Sequence, residues 1–339
     1  MQYLTNRKHA FGRSSRRQRA GGGYRAMMTA LVLATVSLGC ASGPATATSG
    51  PATAPAGPAT ATSVVPIGAY AGYKNIGGVA EISKLIGRPV AHAMDFFDGT
   101  TWTTAVTSPA QIVPAWNRTD YRMTWGVAML PDSGASLAEG ARGVYDHYFV
   151  SIARYLVANH QGGSTIRLGW EFNGDWFPWS AATCPACFVS YWRHIVVAMR
   201  SVHGASFLFV WNTTVGTSSL PPTSAYPGDA FVDIVGMDVY DNVRGSPNSA
   251  ARWRVLADEP YGLRWLSSFA RAHHKPVSLP EWGLGFPPDG GGDNPYFISR
   301  MAQYLKAQPG LVSALYWNYG TSALSDAPRS RAAFARAFG

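Results

Sequence analysis

Two glutamates in this chain stand where an apolar run ends among aromatic residues, a pattern suited to proton-transfer chemistry. Glu171 directly follows the apolar run 165–170, and Trp170, Trp176 and Trp179 crowd around it. A carboxyl group among aromatic rings is poorly hydrated, so its pKa should rise and it can hold a proton near neutral pH. Glu281 ends a second apolar run and is followed by another tryptophan. The pair therefore offers one carboxylic acid and one carboxylate.

Sugar rings suit such a site, because their faces carry C–H groups that pack on flat aromatic surfaces while their edges carry hydroxyls. Hydrolysis of a glycosidic bond needs one carboxylic acid to protonate the leaving oxygen and a second, ionised carboxylate. The residues therefore predict a glycoside hydrolase. This chemistry uses protein side chains alone, so we expect no metal ion and no organic cofactor.

The elements that must position the two glutamates follow from hydrophobic periodicity. Apolar runs of strand length occur at residues 67–71, 90–96, 123–130, 165–170, 207–211, 232–238, 277–281 and 312–317. Helical patterns lie between several of them, at residues 144–159, 188–202, 261–273 and 295–308. Eight alternating strand–helix units predict an α/β fold, the (β/α)8 barrel. A doubly wound sheet is the alternative, but it needs no eighth strand and usually carries a glycine-rich nucleotide loop.

The barrel prediction places the chemistry at one end of the fold. Active sites of (β/α)8 barrels lie at the carboxyl ends of the strands, and the two glutamates follow the fourth run and end the seventh. Polar and aromatic residues also collect at other strand ends. Among them we expect Asn173, just after the fourth run, and Trp211, at the end of the fifth, to contact substrate.

Three segments resemble glycoside hydrolase family 26. They are Glu-Phe-Asn-Gly-Asp-Trp-Phe-Pro-Trp from residue 171, Tyr-Pro-Gly-Asp-Ala-Phe-Val-Asp-Ile-Val-Gly-Met-Asp-Val-Tyr from residue 226, and Pro-Glu-Trp-Gly from residue 280. The family groups β-mannanases with some β-1,3-1,4-glucanases and β-1,3-xylanases, all retaining enzymes on a (β/α)8 barrel. The resemblance covers residues 66–339 and implies that Glu171 is the acid/base and Glu281 the nucleophile.

The resemblance also implies which residues line the cleft. Those that match the family's pattern are Arg167, Trp176, Asp238, Tyr240, Phe286 and Trp317. Two positions depart from it: Trp170 stands where the family usually has histidine, and Asn318 stands where the mannanases have arginine. We expect Trp170 to contact substrate, to narrow the site beside the cleaved bond and to alter which sugar is accepted there.

The favoured activity is that of an endo-β-1,4-mannanase acting on a β-linked polysaccharide or oligosaccharide, with a β-glucanase or a β-xylanase of the same family as alternatives. Two other classes stay open. A non-catalytic sugar-binding envelope lipoprotein would keep the tryptophans and lose a glutamate, and a structural or partner-binding envelope protein would need no carboxylates at matched strand ends.

The first 65 residues do not have the composition of a folded domain. Residues 1–40 combine a basic leader with an apolar run at 27–38 that is too short to span a membrane, which predicts an export signal. Cys40 could be lipidated and anchor the chain to a membrane, or cleavage could follow Ala47. Residues 41–65 contain three near-identical Gly-Pro-Ala-Thr heptads and predict a disordered linker. We therefore expect an exported protein, secreted or lipid-anchored at the cell envelope, with its catalytic domain at residues 66–339.

Charge and cysteine content narrow the possible partners. The formal net charge is +9, but seven basic residues lie in the first 25, which leaves 21 basic against 19 acidic residues. That balance argues against nucleic acid as a partner, and we expect a monomer. Cys184 and Cys187 predict a local disulfide in an exported protein. A zinc site would need two more ligands, which the sequence does not offer at suitable spacing.

Overall fold

A computed structural model of the chain describes residues 64–246 and 248–339, and these form a closed (β/α)8 barrel. Its strands are β1 (Ile67–Tyr70), β2 (His92–Phe96), β3 (Arg122–Val127), β4 (Thr165–Leu168), β5 (Leu208–Thr214), β6 (Ile234–Tyr240), β7 (Val277–Gly283) and β8 (Leu311–Trp317). Each strand pairs in parallel with the next, and β8 pairs with β1. The predicted fold class is confirmed. The predicted export signal, Cys40 and nearly all of the predicted linker lie outside the described residues.

Helices cover the outside of the barrel. They are α1 (Ile76–Ile86), α2 (Trp102–Thr107), α3 (Pro109–Trp116), α4 (Leu137–Gly140), α5 (Asp146–Ala158), α6 (Pro185–Arg200), α7 (Ser249–Asp258), α8 (Leu263–Ala272), α9 (Pro295–Ala307) and α10 (Pro328–Phe338). Short 3-10 turns occur at Pro222–Ala225, Asp229–Phe231, Gly320–Ser322 and Leu324–Asp326. Across the described residues, each helix is too short or too polar to traverse a lipid bilayer.

The main core lies between the sheet and these helices. Strands of a parallel barrel are covered on both faces, which explains why β7 is buried along its whole length. The helices bury one face each: α6 turns Phe188, Trp192, Ile195 and Met199 inward, at the three- and four-residue spacing of a helical stripe.

The strand bounds differ from the predicted ones mainly at the carboxyl ends, where the site lies. β4 ends at Leu168, two residues before the end of its apolar run, because Gly169 takes a left-handed conformation (φ 44°). β5, β6 and β7 instead extend two or three residues past their predicted ends. Polar side chains do not interrupt these strands, because the hydrogen bonds between strands are made by backbone groups. Asp238 and Glu281 therefore lie within strands and not in loops.

Candidate active site

A sharp turn after β4 carries Glu171. Gly169 and Glu171 both have positive φ, 44° and 53°. The left-handed region is unfavourable for a residue with a side chain and persists only where surrounding contacts enforce it. Two of those contacts are hydrogen bonds, from the Glu171 N–H to the Asn212 carbonyl (2.9 Å) and from the Trp179 indole to the Trp170 carbonyl (2.9 Å). The turn breaks strand alternation, so Glu171 reaches the same cluster as Arg167 on β4.

Arg167 organises the centre of the site. Its fully buried guanidinium donates from Nη1 to Glu281 Oε1 (2.7 Å), from Nε to Asn212 Oδ1 (2.8 Å) and from Nη2 to Asp238. Burial alone would lower the pKa of Arg167, but the charges of Asp238 and Glu281 outweigh it and raise that pKa. A buried cation paired with two carboxylates stays charged, and its planar fork fixes the direction of both partners.

Two aromatic rings enclose this guanidinium. The Trp170 ring lies 5.1 Å and the Phe96 ring 5.6 Å from its central carbon. Phe96 can cross the barrel mouth because Gly126 has no side chain: a Cβ there would lie 2.3 Å from the Phe96 ring. Trp170 is only 2% exposed and packs against Phe177 at 5.4 Å. Trp170 therefore lies at the site, as its position predicted, but most of its surface faces Arg167 and other aromatic rings.

Glu281 lies in β7 with both carboxylate oxygens occupied. In addition to the bond from Arg167, the Tyr240 hydroxyl donates to Oε2 (2.6 Å). The register between β6 and β7 shifts here, and the Glu281 N–H donates to Asp238 Oδ1 (3.1 Å) instead of to a strand carbonyl. Burial, followed by the charge of Glu281, raises the pKa of Tyr240 well above its usual range, so this phenol remains a donor. With 4% exposure, Glu281 is an oriented carboxylate that two donors stabilise in its charged form.

Glu171 is half-buried and faces the same cluster. The Trp176 indole donates to its Oε2 (2.9 Å). The Trp176 ring lies across Gly174, where a Cβ would come within 2.3 Å of it. Negative charge on Glu171 acts on Arg167, Asp238 and Tyr240, which all contact or adjoin Glu281. The structure therefore brings both predicted glutamates together in one electrostatic cluster.

Two other predicted residues lie at the rim. The Trp317 ring ends β8 and lies 4.3 Å from the Tyr70 ring, which ends β1. Phe286 is 38% exposed on the loop after β7, and its N–H donates to Asn242 Oδ1 (3.2 Å). Trp317 is thus buried against the ring that ends β1, whereas Phe286 exposes part of its ring.

Asn173 and Trp211 lie behind the site. Asn173 is buried, and its amide group accepts from the Thr214 N–H (2.9 Å) and donates to the Thr214 carbonyl (3.1 Å). Trp211 points outward from β5 into the helix layer, where its indole donates to the Ala225 carbonyl (3.2 Å). The next residue, Asn212, points inward to Arg167. Asn173 therefore holds the loop after β5, Trp211 packs in the core, and Asn212 is the residue of β5 that contacts Arg167.

Asn318 begins the loop after β8. Its N–H donates to the Tyr70 carbonyl (2.8 Å), and its side-chain oxygen accepts from the Leu324 N–H (2.9 Å). The amide therefore fastens this loop to β1 and to the following 3-10 turn.

The predicted disulfide is confirmed. Cys184 and Cys187 are bonded at the start of α6, in the connection that follows β4, with their Cα atoms 5.2 Å apart. The Cys187 N–H also donates to the Cys184 sulfur (3.2 Å), so Cys184 serves as the helix N-cap. Within the described ranges, three or more histidine, cysteine or carboxylate side chains do not come together as a metal site.

The fold and site define a class of protein: a (β/α)8 barrel with a half-buried glutamate on the turn after β4 and a buried glutamate in β7. Comparisons with known proteins agree. The model of glycosyl hydrolase family 26 matches residues 144–258. A solved structure described as a Cellulomonas fimi endo-beta-1,4-mannanase double mutant superposes with a TM-score of 0.61 at 20% identity, over 81% of this chain and 71% of that one.

Two curated proteins align with part of the chain. A mannan endo-1,4-beta-mannosidase from Bifidobacterium adolescentis is 29% identical over 161 residues, which is 44% of this chain and 16% of that protein. Endoglucanase H from Acetivibrio thermocellus is 25% identical over 192 residues, 50% of this chain and 19% of that protein. The chain thus spans less than a fifth of either relative. The family model and the curated relatives thus support the resemblance to glycosyl hydrolase family 26 that the motifs indicated.

Proposed function

We propose that this chain is a retaining glycoside hydrolase that cleaves β-linked polysaccharide by double displacement, with Glu281 as nucleophile and Glu171 as acid/base. The observation that carries the proposal is the pair of donors on Glu281. Arg167 and Tyr240 hold this carboxylate charged and oriented, while Glu171 stands in the same cluster with a separate donor, Trp176. Two carboxylates in different environments are what separate acid and nucleophile roles require.

In the first step, a Glu281 oxygen attacks the anomeric carbon as the bond to the leaving oxygen breaks. Glu171 donates its proton to that oxygen, so the leaving sugar departs as an alcohol and a covalent glycosyl–enzyme forms. In the second step the Glu171 carboxylate takes a proton from water. The resulting oxygen attacks the anomeric carbon, the bond to Glu281 breaks, and the configuration of the sugar is retained.

The surrounding residues act on Glu281 through its charge. When Glu281 becomes an ester it loses its negative charge, and the Arg167 cation remains paired with Asp238. Asp238 thus balances the buried guanidinium throughout the cycle. Tyr240 can turn its hydroxyl to the ring oxygen or to a sugar hydroxyl once Glu281 is esterified.

For substrate we favour mannan, on the strength of the Bifidobacterium relative and the mannanase fold match. A β-glucan is the second candidate, because endoglucanase H aligns with 50% of the chain. The chemistry of the site suits both, since they are β-linked chains of six-carbon sugars.

The mechanism is tested by trapping. A 2-deoxy-2-fluoro β-glycoside with a good leaving group forms the ester quickly and hydrolyses it slowly, because fluorine destabilises the positively charged transition state of both steps. We expect the label on a peptide that contains Glu281, identified by mass spectrometry, and initial products of β configuration by NMR. Products of α configuration, or a label on Glu171, would contradict the proposal.

The substrate is tested on mannan, mixed-linkage glucan and xylan, with the wild type beside Trp170→His. Imidazole is smaller than indole, so the replacement opens space next to Arg167 and Phe177. We expect the ratio of mannan to glucan turnover to rise in the variant. If both proteins strongly favour mannan to the same degree, Trp170 does not set the preference.

We also propose that the protein is exported and acts on glycans outside the cytoplasm. The basic leader, the short apolar run and the repeated Gly-Pro-Ala-Thr linker support this. Radiolabelled palmitate in an expressing bacterium would distinguish lipidation at Cys40 from release of the soluble enzyme.

A further inference from the structure

The end of β1 brings a tyrosine to the mouth of the barrel that the proposed mechanism does not use. The Tyr70 ring stacks at a tilt of 30° on Trp317, with centroids 4.3 Å apart, and meets Phe96 edge-on at 5.2 Å. Phe96 itself covers the Arg167 guanidinium. Tyr70 is therefore one ring away from the group that orients Glu281.

The hydroxyl of this tyrosine has no hydrogen-bond partner among the residues that the structure describes, although the residue is only 3% exposed. The hydroxyl oxygen is not among the fully buried polar atoms that lack a hydrogen-bond partner. Part of the small exposed area of Tyr70 therefore belongs to the hydroxyl. The nearby Asp95 carboxylate is occupied: Lys74 N–H (2.9 Å) and Trp116 indole (2.8 Å) donate to Oδ2, and Phe96 N–H (2.9 Å) donates to Oδ1.

Negative charges on nearby carboxylates act on the Tyr70 hydroxyl. Burial raises the pKa of Tyr70 far above its usual value, and Asp95, Tyr319 and Glu281 raise it further, in that order. The phenol therefore remains protonated near neutral pH and can donate a hydrogen bond. The hydroxyl lacks a partner among the described residues, so a ligand hydroxyl that accepts a hydrogen bond from it gains affinity.

We propose that Tyr70 is a further substrate-binding residue, which donates a hydrogen bond from its phenol to one hydroxyl of the sugar ring held beside Glu281. This rests on the proposed function and identifies a polar contact on the β1 side of the cleft. Tyr70, packed against Trp317, then contacts one hydroxyl at the edge of that sugar. A tyrosine that served only to pack against Trp317 would not need the phenol oxygen.

Tyr70→Phe removes that oxygen and keeps the ring. We expect kcat/KM on mannotetraose, or on the glucan oligosaccharide that the wild type prefers, to fall about tenfold, a hydrogen bond's share of binding. The midpoint of thermal unfolding should stay the same or rise slightly. Tyr304→Phe is the matched control, because its partly buried hydroxyl bonds Ser267 and Leu263 on the outside of the barrel, and its kcat/KM should stay at the wild-type level.

Substrate analogues that each lack one hydroxyl identify the bond itself. The tenfold loss on Tyr70→Phe should disappear for the one deoxy analogue that lacks the partner hydroxyl and persist for the others. In the Glu281→Ala background, Tyr70→Phe should weaken binding of the intact oligosaccharide by a similar factor in calorimetric titrations.

The outcomes separate the two proposals. A Tyr70→Phe variant as active as a wild type that cleaves glycans would overturn the role of Tyr70 and leave the hydrolase assignment in place. An equal loss on every deoxy analogue would do the same, because it would point to packing. A wild type that neither cleaves nor binds any glycan of the panel would overturn both.

Discussion

The ends of β4 and β7 hold their glutamates in opposite ways. Glu281 lies inside a fully buried strand, and its carboxylate accepts hydrogen bonds from a buried cation and a phenol. Glu171 lies on a left-handed turn just beyond its strand, is half-buried, and accepts from the Trp176 indole. One carboxylate is thus fixed by charge in a regular element, and the other by a strained turn at the edge of the cleft.

The different surroundings of Glu281 and Glu171 match the requirements that the two steps of a retaining hydrolase place on a nucleophile and on an acid/base. The nucleophile must stay ionised and aimed at one carbon, so Arg167 and a rigid strand suit it. The acid/base must lose and regain a proton in every turnover, with water delivered to it in the second step. A turn at the edge of the mouth gives Glu171 that access. Substitution of each glutamate and of its donor tests this division of roles.

Glu281→Ala should have the largest effect. We expect kcat to fall by roughly 10⁴-fold or more, the scale seen when a catalytic nucleophile is removed. Azide should partly restore turnover by filling the space and attacking the sugar, with an α-glycosyl azide as product. Glu81→Ala, which removes an exposed glutamate paired with Lys84 on α1, is the control and should behave as wild type. Circular dichroism must confirm folding, since Arg167 loses a partner. A folded and active Glu281→Ala variant would refute the assignment.

Glu171→Ala should lose less, and the loss should depend on the leaving group. On polysaccharide, kcat/KM should fall by roughly 10²–10⁴-fold, the usual contribution of a general acid. On a dinitrophenyl glycoside, whose leaving group needs no proton, the first step should be nearly normal, and azide should yield a β-glycosyl azide. Equal losses on both substrates would mean that Glu171 is not the acid.

Removing the hydrogen-bond donor from Glu281 should lower kcat/KM more than removing the donor from Glu171. Tyr240→Phe removes a hydrogen bond to a charged group, worth about 1.5–3 kcal/mol, or roughly 10–150-fold in kcat/KM. Trp176→Phe removes a donor from a group that is neutral when the first step begins, worth about 0.5–1.5 kcal/mol, or roughly 2–10-fold. Both are measured on the same oligosaccharide. If Trp176→Phe proves the more damaging, Glu171 has the stricter environment and the comparison above is reversed.

The sequence located both glutamates because apolar runs of strand length recur along the chain and each glutamate follows or ends one of them. It did not reveal which neighbours face the cleft. In a strand buried on both faces, apolar residues point both ways. The sequence therefore did not show whether Trp211 or Asn212 points into the barrel, and in the structure Asn212 does so and contacts Arg167. Tyr70 was equally hidden, because an aromatic residue in a short buried strand is typical of core.

The turn at Glu171 could not be predicted either. Gly169 permits positive φ, but nothing local required a glutamate to adopt it two residues later. The conformation depends on the Asn212 carbonyl of β5, a long-range contact, and on the Trp179 indole of the following loop, nine residues after its partner. Local sequence preferences therefore predicted strand β4 but not the conformation of the turn that follows it.

The smallest expected effect concerns the disulfide that follows β4. Cys184 and Cys187 close a very short loop, so the loss of stability on replacing both with serine should stay below the roughly 3 kcal/mol expected of a 15-residue loop.

Serine at position 184 also keeps an N-cap acceptor for α6, whereas Cys184→Ala with Cys187→Ser removes it and should cost about 1 kcal/mol more. Urea unfolding of both double variants measures the difference, and kcat/KM should stay within about twofold of wild type because α6 begins on the outer side of the Glu171 turn. If the serine variant is folded but inactive, the bridged loop shapes the cleft directly, and the strained exit of β4 depends on this covalent link as well as on its hydrogen bonds.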